Sequence, residues 1–344
     1  MYKKATSILL TVCMLVSLFA GLATTANAQD ADVKSDLSSV FRSEIYINEN
    51  KEAGLDGRVS VALDLTGMTG TLYLPGSAET DQLFFSWDDA SLKVSRNGVV
   101  YESGTAPIAP AGESISYKLA KGYAVAYVTI KTVQGSADVS AMFLNIDETH
   151  GTIEAMNSDT THETYCYGNV FLDGDSYYMG MKGRGNSTWV LPNTNIFLPK
   201  LPYNVTIFKG DDFDKKKSVS LIDGVKAKKW SLLANYLDAS LMRNKIAMDL
   251  ADQLGIGLGA RFVDVWMNGE YLGNYILTPK SDYNAPDGGY FLENDNYGSA
   301  DDPQFEIPGM FAFGKDIIDD DGYYNRISVK DIGDDAAEAG CDAD

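Results

Sequence analysis

The strongest constraint on the fold is a series of short segments, between residues 59 and 133, in which apolar and polar residues alternate. A period of two puts every second side chain on one face of a β-strand, whereas a helix needs a period of about 3.6. The segments are separated by turn-forming pairs such as Pro75-Gly76 and Asn97-Gly98, and Asn-Gly favours a two-residue hairpin turn. Residues 29–138 therefore predict an all-β sandwich of about 100 residues. They contain no histidine or cysteine, which favours a spacer or interaction module.

The first 28 residues have the pattern of a secretory signal peptide. Lys3 and Lys4 precede a mostly apolar run at residues 8–22, and Ala26-Asn27-Ala28 supplies a small-x-small cleavage site. The run is shorter than the roughly 20 apolar residues that span a bilayer, and Cys13 has no lipobox around it. The mature protein is therefore expected to be secreted or extracellular, with association with the cell surface left open.

The composition excludes several classes of function. The chain has 28 Lys and Arg against 48 Asp and Glu, a net charge of −20, which repels nucleic acid and anionic lipid. With two histidines and three cysteines, neither a His/Cys zinc site nor a disulfide-rich scaffold is expected. Whether Cys166 pairs with Cys341 stays open. No transmembrane segment is predicted in the mature chain.

The second region, residues 139–344, mixes strands with a helix. Residues 142–146 read as a buried strand, and Asp238 is predicted to cap a helix that ends at Gly255. The apolar residues of that helix recur every four positions, at Met242, Ile246, Leu250 and Leu254. A hairpin at residues 261–277 follows, turning at Asn268-Gly269. Strands, one helix and then a hairpin form an α+β order, which defines the fold class that we predict.

Six sequence motifs follow one another between residues 140 and 330. They are Lys182-Gly-Arg-Gly-Asn-Ser-Thr-Trp189, Lys200-Leu-Pro-Tyr203, Lys226-Ala-Lys-Lys-Trp-Ser-Leu-Leu-Ala-Asn235, Asp238-Ala-Ser-Leu-Met-Arg-Asn-Lys245, residues 261–277, and Gly288-Gly-Tyr-Phe-Leu-Glu293. Together they resemble the spore coat protein H (CotH) kinase-like family. The resemblance implies an atypical protein-kinase-like lobe, ATP as the phosphoryl donor, and protein substrates at the cell surface or outside the cell.

The resemblance also implies Mg or Mn, held by aspartates in an Asn-Val-Asp-like and a Trp-Asp-Phe-Asp-like segment. Neither segment occurs before Asp344. The catalytic residues are therefore unknown and expected beyond Asp344, no metal ligand is assigned, and the kinase domain at 139–344 is expected to be incomplete at its C-terminus.

Five residues are the candidates for contacts with ATP: Arg184, Gly185, Asn186, Ser187 and Lys200. Gly183 and Gly185 would let the backbone approach a phosphate, while Arg184, Asn186 and Ser187 can donate hydrogen bonds to its oxygens. A lysine near a strand after a Gly-rich turn pairs ATP phosphates in kinases, and Lys209 competes with Lys200 for this role. Phosphoryl transfer needs mainly positioning and charge neutralisation, which suits these residue types.

Several residues keep a second interpretation. Pro279 stands where the family usually has Glu in its hinge, and it has no N–H to offer an adenine ring. Asp238 is favoured as a helix cap over a catalytic base, and Arg243-Asn244 as lobe contacts over nucleotide contacts. The lysines at 215–217, 226, 228 and 229 are favoured as a solvated hairpin, with docking of an acidic substrate or phosphate as the alternative.

Two functions follow from these observations. The favoured one is a secreted CotH-type protein kinase that phosphorylates extracellular or surface proteins. The alternative is a non-catalytic surface or scaffold protein that uses a kinase-like region as a binding module.

Overall fold

The computed structural model describes residue 41, residues 45–191 and 194–280, and the backbone of two strands at 290–295 and 326–332. The predicted signal peptide and Cys341 lie outside these residues. The chain divides into two compact units, residues 1–280 and 281–344. Among the described residues, no helix has the length and hydropathy to cross a bilayer.

The N-terminal region consists mainly of β-strands, as the sequence predicts. Six strands form one sheet in the order β3-β4-β10-β9-β6-β7, in which β4 and β10 are parallel and the other pairs antiparallel. Asn97 and Gly98, with φ of 51° and 82°, form the predicted hairpin turn between β6 and β7. The strands are β1 Tyr46–Ile47, β2 Val59–Ser60, β3 Ala62–Asp64, β4 Thr69–Leu74, β5 Phe84–Phe85, β6 Lys93–Arg96, β7 Val99–Tyr101, β8 Ala106–Pro107, β9 Ser114–Lys121 and β10 Ala124–Gln134.

Alternation along the strands builds the first hydrophobic core. In β9, Ile115, Tyr117 and Leu119 are buried, while the residues between them face solvent. The same face of the sheet packs with buried residues of β1, β2, β5 and β8, an arrangement compatible with the predicted sandwich. Phe143 and Trp266, from the second region, stack on each other and join this core. The predicted boundary at residues 138 and 139 therefore stays a prediction.

The next strands close into a barrel in the order β11-β12-β13-β14-β17-β19-β18. The parallel pair β11–β18 closes it, and the other neighbouring pairs are antiparallel. The hairpin β15–β16 lies between β14 and β17 in the sequence. These strands are β11 Ser140–Ile146, β12 Cys166–Leu172, β13 Asp175–Gly183, β14 Tyr203–Phe208, β15 Val219–Ile222, β16 Val225–Ala227, β17 Lys229–Leu233, β18 Arg261–Met267 and β19 Glu270–Pro279.

A second core fills the barrel. Every strand contributes apolar side chains, with Met181, Val205, Trp230, Leu232 and Val265 all fully buried. The short helix α1, Ile153–Ser158, adds Met156, and Thr152 caps it by accepting a hydrogen bond from the Ala155 N–H at 3.1 Å. Pro279, at the expected hinge, is the last residue of β19 and lies opposite Trp230 in β17.

The predicted helix differs from expectation in its start and in its surroundings. Helix α2, Arg243–Gln253, begins five residues after Asp238, whose carboxylate still accepts the Arg243 N–H at 2.9 Å. Its apolar stripe is exposed to solvent, with Ile246 at 60%, Leu250 at 56% and Leu254 at 66%. A period of 3.6 places these side chains on one face but does not determine what covers that face.

The second unit contains two described strands, β20 Tyr290–Asp295 and β21 Arg326–Ile332. They pair antiparallel, with a shift in register between Phe291 and Leu292.

Candidate functional site

The glycines of the segment after β13 are required by crowding and by backbone conformation. A Cβ at Gly183 would lie 2.7 Å from the Trp189 ring, and one at Gly185 would lie 2.1 Å from Thr188 Oγ1. Gly185 also has φ of 84°, in the left-handed region that favours glycine. The Gly-x-Gly sequence therefore permits a tight path for the chain out of β13.

A network of backbone hydrogen bonds fixes this segment. The Arg184 N–H donates to the Pro202 carbonyl at 3.3 Å, which ties the segment to the start of β14. The Asn186 carbonyl accepts the N–H groups of Trp189 and Val190 at 2.9 and 3.1 Å. Trp189 is buried, so its ring anchors the far side of the segment in the barrel core.

His162 contacts the same segment from an earlier loop. Its Nε2 is hydrogen-bonded to the Gly185 carbonyl, and its ring meets the Trp189 ring edge-on at 4.9 Å. Because a carbonyl can only accept, Nε2 carries the proton, while Nδ1 is buried with no partner in the described part of the chain. The sequence predicted no role for His162; only the structure brings it to the Gly-rich segment.

The loop that carries His162 is held by Asp159. The Asp159 carboxylate accepts hydrogen bonds from the N–H groups of Thr161, Glu163 and Thr164 at 2.8–2.9 Å. The Thr161 hydroxyl donates to it as well, and these bonds hold the pKa of the carboxyl well below its usual range. His162 itself has a positive φ of 59°, so the loop presents the ring in a conformation that few non-glycine residues adopt.

A cavity of about 250 Å³ opens beside the Gly-rich segment. It lies between that segment, the chain after β17 and the start of α2. Its lining residues are Arg184, Thr188, Leu198, Pro202, Leu233, Ala234, Asn235, Tyr236, Leu237, Asp238, Arg243 and Asn244. The side-chain amide of Asn244 donates a hydrogen bond to the side-chain oxygen of Asn235 at 2.7 Å, which joins the helix to the chain that follows β17.

The charges around this cavity favour an anion. Burial lowers the pKa of the Arg184 guanidinium, and no described residue supplies an ion pair to it. Arg243 is mostly exposed, 3.7 Å from the Asp238 carboxylate, and stands at the positive end of the α2 dipole. A half-buried arginine without a partner costs free energy that a bound anion would offset.

Asp238 is the single carboxylate among the described residues that line the cavity. Its two oxygens accept hydrogen bonds from Ser240 and Arg243, and these bonds lower its pKa. The described residues also contain no group of three or more His, Cys, Asp or Glu side chains that could hold a metal ion. The donor set described for this cavity therefore does not fit a divalent cation.

The structure places the five predicted ATP contacts in two locations. Arg184 lines the cavity, and Gly185, Asn186 and Ser187 follow it along the chain, with Asn186 and Ser187 exposed. Lys200 lines a separate cavity of about 280 Å³, together with Tyr203, Glu270, Tyr271 and Tyr275. Its ammonium donates to the Asn274 carbonyl and lies 4.4 Å from the centre of the Tyr275 ring. Burial lowers the pKa of Lys200, an effect that Asp264 opposes.

Lys209, the alternative to Lys200, is exposed directly after β14. Arg243 and Asn244, for which lobe contacts were favoured, line the same cavity as Arg184. The signal that could have indicated this is the Arg-Asn pair at the start of a helix, where N–H groups and the helix dipole favour anions.

Residues 181–308 match the family model of the CotH kinase protein. The resemblance to the CotH family is confirmed. The match begins within β13 and includes the Gly-rich segment, the chain after β17 and α2, which together form the cavity around Arg184. No curated protein matches this chain.

Proposed function

We propose that this chain carries the nucleotide-binding part of a secreted, CotH-type atypical protein kinase. The single observation that carries the proposal is the half-buried Arg184, to which no described residue supplies an ion pair, in a cavity formed by segments that match the CotH family. The substrates that we propose are proteins at the cell surface or outside the cell. The domains are a β-sandwich at 29–138 and a kinase-like region at 139–344.

In this proposal, Arg184 neutralises the phosphate charge of ATP, and Arg243 with the first turn of α2 adds to the positive field. The backbone of Gly185 approaches the phosphates closely, and Asn186 and Ser187 donate hydrogen bonds from the exposed side of the segment. Asn244 positions the helix through its bond to Asn235. Lys200 stays a predicted contact, in the neighbouring cavity that shares Leu198 with the first.

The CotH family implies a divalent metal, which would neutralise phosphate charge when bound. Because the described residues around the cavity do not provide a matching set of carboxylates, no step is assigned to the metal here.

The proposal is tested by titrating the purified secreted protein with ATP, ADP, AMP and adenosine in a calorimeter. We expect affinity to rise with the number of phosphates, with ATP binding at least about tenfold more tightly than AMP, because the cavity recognises negative charge. No detectable binding of ATP at about 1 mM, or equal affinity for ATP and adenosine, would contradict the proposal and favour the non-catalytic binding module.

Replacing His162 with phenylalanine is expected to weaken ATP binding by about three- to tenfold. Phenylalanine keeps a ring against Trp189 but removes the donor to the Gly185 carbonyl, so the Gly-rich segment loses one restraint. The matched control is His150→Phe, because His150 is exposed and bonds to Asp147 in its own turn. Unchanged affinity in His162→Phe would show that the bond to Gly185 does not position the segment.

A further inference from the structure

Residues 209–229, here called the lysine hairpin, carry an excess of positive charge in an acidic protein. The segment has seven lysines and four aspartates, a net charge of +3, whereas the whole chain has a net charge of −20. The segment runs from the end of β14 through the β15–β16 hairpin to the start of β17. It lies outside the lining of the cavity around Arg184.

The fold brings two separate lysine runs together. The Lys217 N–H donates to the Ile207 carbonyl at 2.9 Å, and the Ile207 N–H donates to the Lys228 carbonyl at 2.9 Å. Val219 lies opposite Ala227 in the β15–β16 pair. The backbones of Lys217 and Lys228 are therefore both hydrogen-bonded to one residue of β14, although about ten residues separate them in the sequence.

Six lysines of this surface are exposed and form no ion pair with any described carboxylate. Lys209, Lys215, Lys216, Lys217, Lys226 and Lys228 are all exposed. No ion pair joins any of these six to a carboxylate within the part of the chain that the structure describes. Lysines elsewhere do form such pairs, as Lys121 does with Asp89 and Lys245 with Asp249. The positive charge of the hairpin is thus available to a partner.

Aromatic side chains border the lysines. The Lys217 ammonium lies 5.1 Å from the centre of the Tyr177 ring. Phe213, within the hairpin, contacts Tyr167 and Tyr178, and Tyr178 is 39% exposed. A partner on this surface would therefore meet both positive charge and accessible ring surface, which is a combination that a polypeptide can complement.

We propose that the lysine hairpin is a docking surface for an acidic polypeptide segment. Charge complementarity selects carboxylates, and the negative charge of the rest of the chain disfavours a long, dense polyanion such as nucleic acid. A short acidic segment makes its ion pairs within a few ångströms, where the distant negative charges are screened by salt. The proposal does not depend on nucleotide binding at the cavity around Arg184.

The test measures fluorescence anisotropy of a labelled Glu-Ser repeat peptide, with a Gln-Ser repeat as the neutral probe, in the absence of nucleotide. We expect the Glu-Ser peptide to bind and the Gln-Ser peptide not to bind, and we expect added salt to weaken the binding of the Glu-Ser peptide. The triple variant Lys215→Gln, Lys216→Gln, Lys217→Gln is expected to bind about tenfold more weakly, through the loss of three ion pairs. The double variant Lys226→Gln, Lys228→Gln should also weaken binding, since it removes charge from the other run.

The matched control is the triple variant Lys93→Gln, Lys118→Gln, Lys131→Gln, which removes the same charge from exposed positions of the N-terminal sheet. We expect it to bind the peptide within about twofold of the wild type. Three outcomes would overturn the proposal: no binding of the Glu-Ser peptide, an equal loss in both triple variants, or lysine-dependent binding of inorganic polyphosphate in place of the peptide. Thermal unfolding of each variant verifies that the fold is retained.

Discussion

Replacing Arg184 with glutamine is expected to weaken the binding of ATP by about 10- to 100-fold without changing the fold. Arg184 is the half-buried cation of the cavity, and no described residue compensates its charge. A charge-assisted hydrogen bond to phosphate in this setting is stronger than a neutral one. Glutamine keeps much of the side-chain length and removes the charge. Because the cost of burying a charge is then absent, the stability of the fold should be similar or slightly higher.

The measurement is calorimetric titration of Arg184→Gln with ATP and with adenosine. Adenosine affinity should be unchanged, because it has no phosphate for Arg184 to bind. Arg96→Gln is the matched control, since Arg96 is an exposed arginine of the N-terminal sheet. If Arg184→Gln weakens ATP and adenosine equally, the effect is structural and the assignment of Arg184 to phosphate is wrong.

The local structure of this protein follows closely from its sequence. Alternation predicts β9 and β10, and the Asn-Gly pairs mark the turns of β6–β7 and β18–β19, where local chemistry decides the conformation. The closure of the barrel could not be predicted in this way. It depends on parallel pairing of β11 with β18, in which Ser140 lies opposite Val263. No local signal in either strand specifies a partner more than a hundred residues away.

The candidate site likewise contains residues that the sequence places together and residues that only the fold brings together. The glycines and Arg184 stand together in the sequence, so their pattern indicates a phosphate-binding segment. The fold alone brings His162, from a loop before β12, into contact with that segment. It also places Arg243, which follows β17, in the lining of the same cavity. Lys200 lies in a loop before β14, where strand periodicity does not determine the direction of a side chain, and its ammonium bonds to Asn274 in another cavity.

The same Leu→Ala substitution should have very different effects on stability in the buried barrel core and on the exposed apolar stripe of α2. Leu232→Ala is expected to lower the free energy of unfolding by about 2–5 kcal/mol, because Leu232 is fully buried in the barrel core. Leu250→Ala removes the same atoms from a side chain that is 56% exposed. Its expected cost is below about 1 kcal/mol, since little burial is lost and alanine has the higher helix propensity.

Urea unfolding of the two variants, monitored by tryptophan fluorescence, gives the comparison directly. The two substitutions remove the same atoms, so the difference in cost reports mainly burial, with a smaller contribution from the helix propensity of alanine at position 250. A cost for Leu250→Ala as large as that for Leu232→Ala would mean that another part of the protein covers the stripe of α2. A small cost leaves that stripe facing solvent, and the stability of residues 140–280 then rests on the closed barrel, with α2 contributing mainly Arg243 and Asn244 to the cavity.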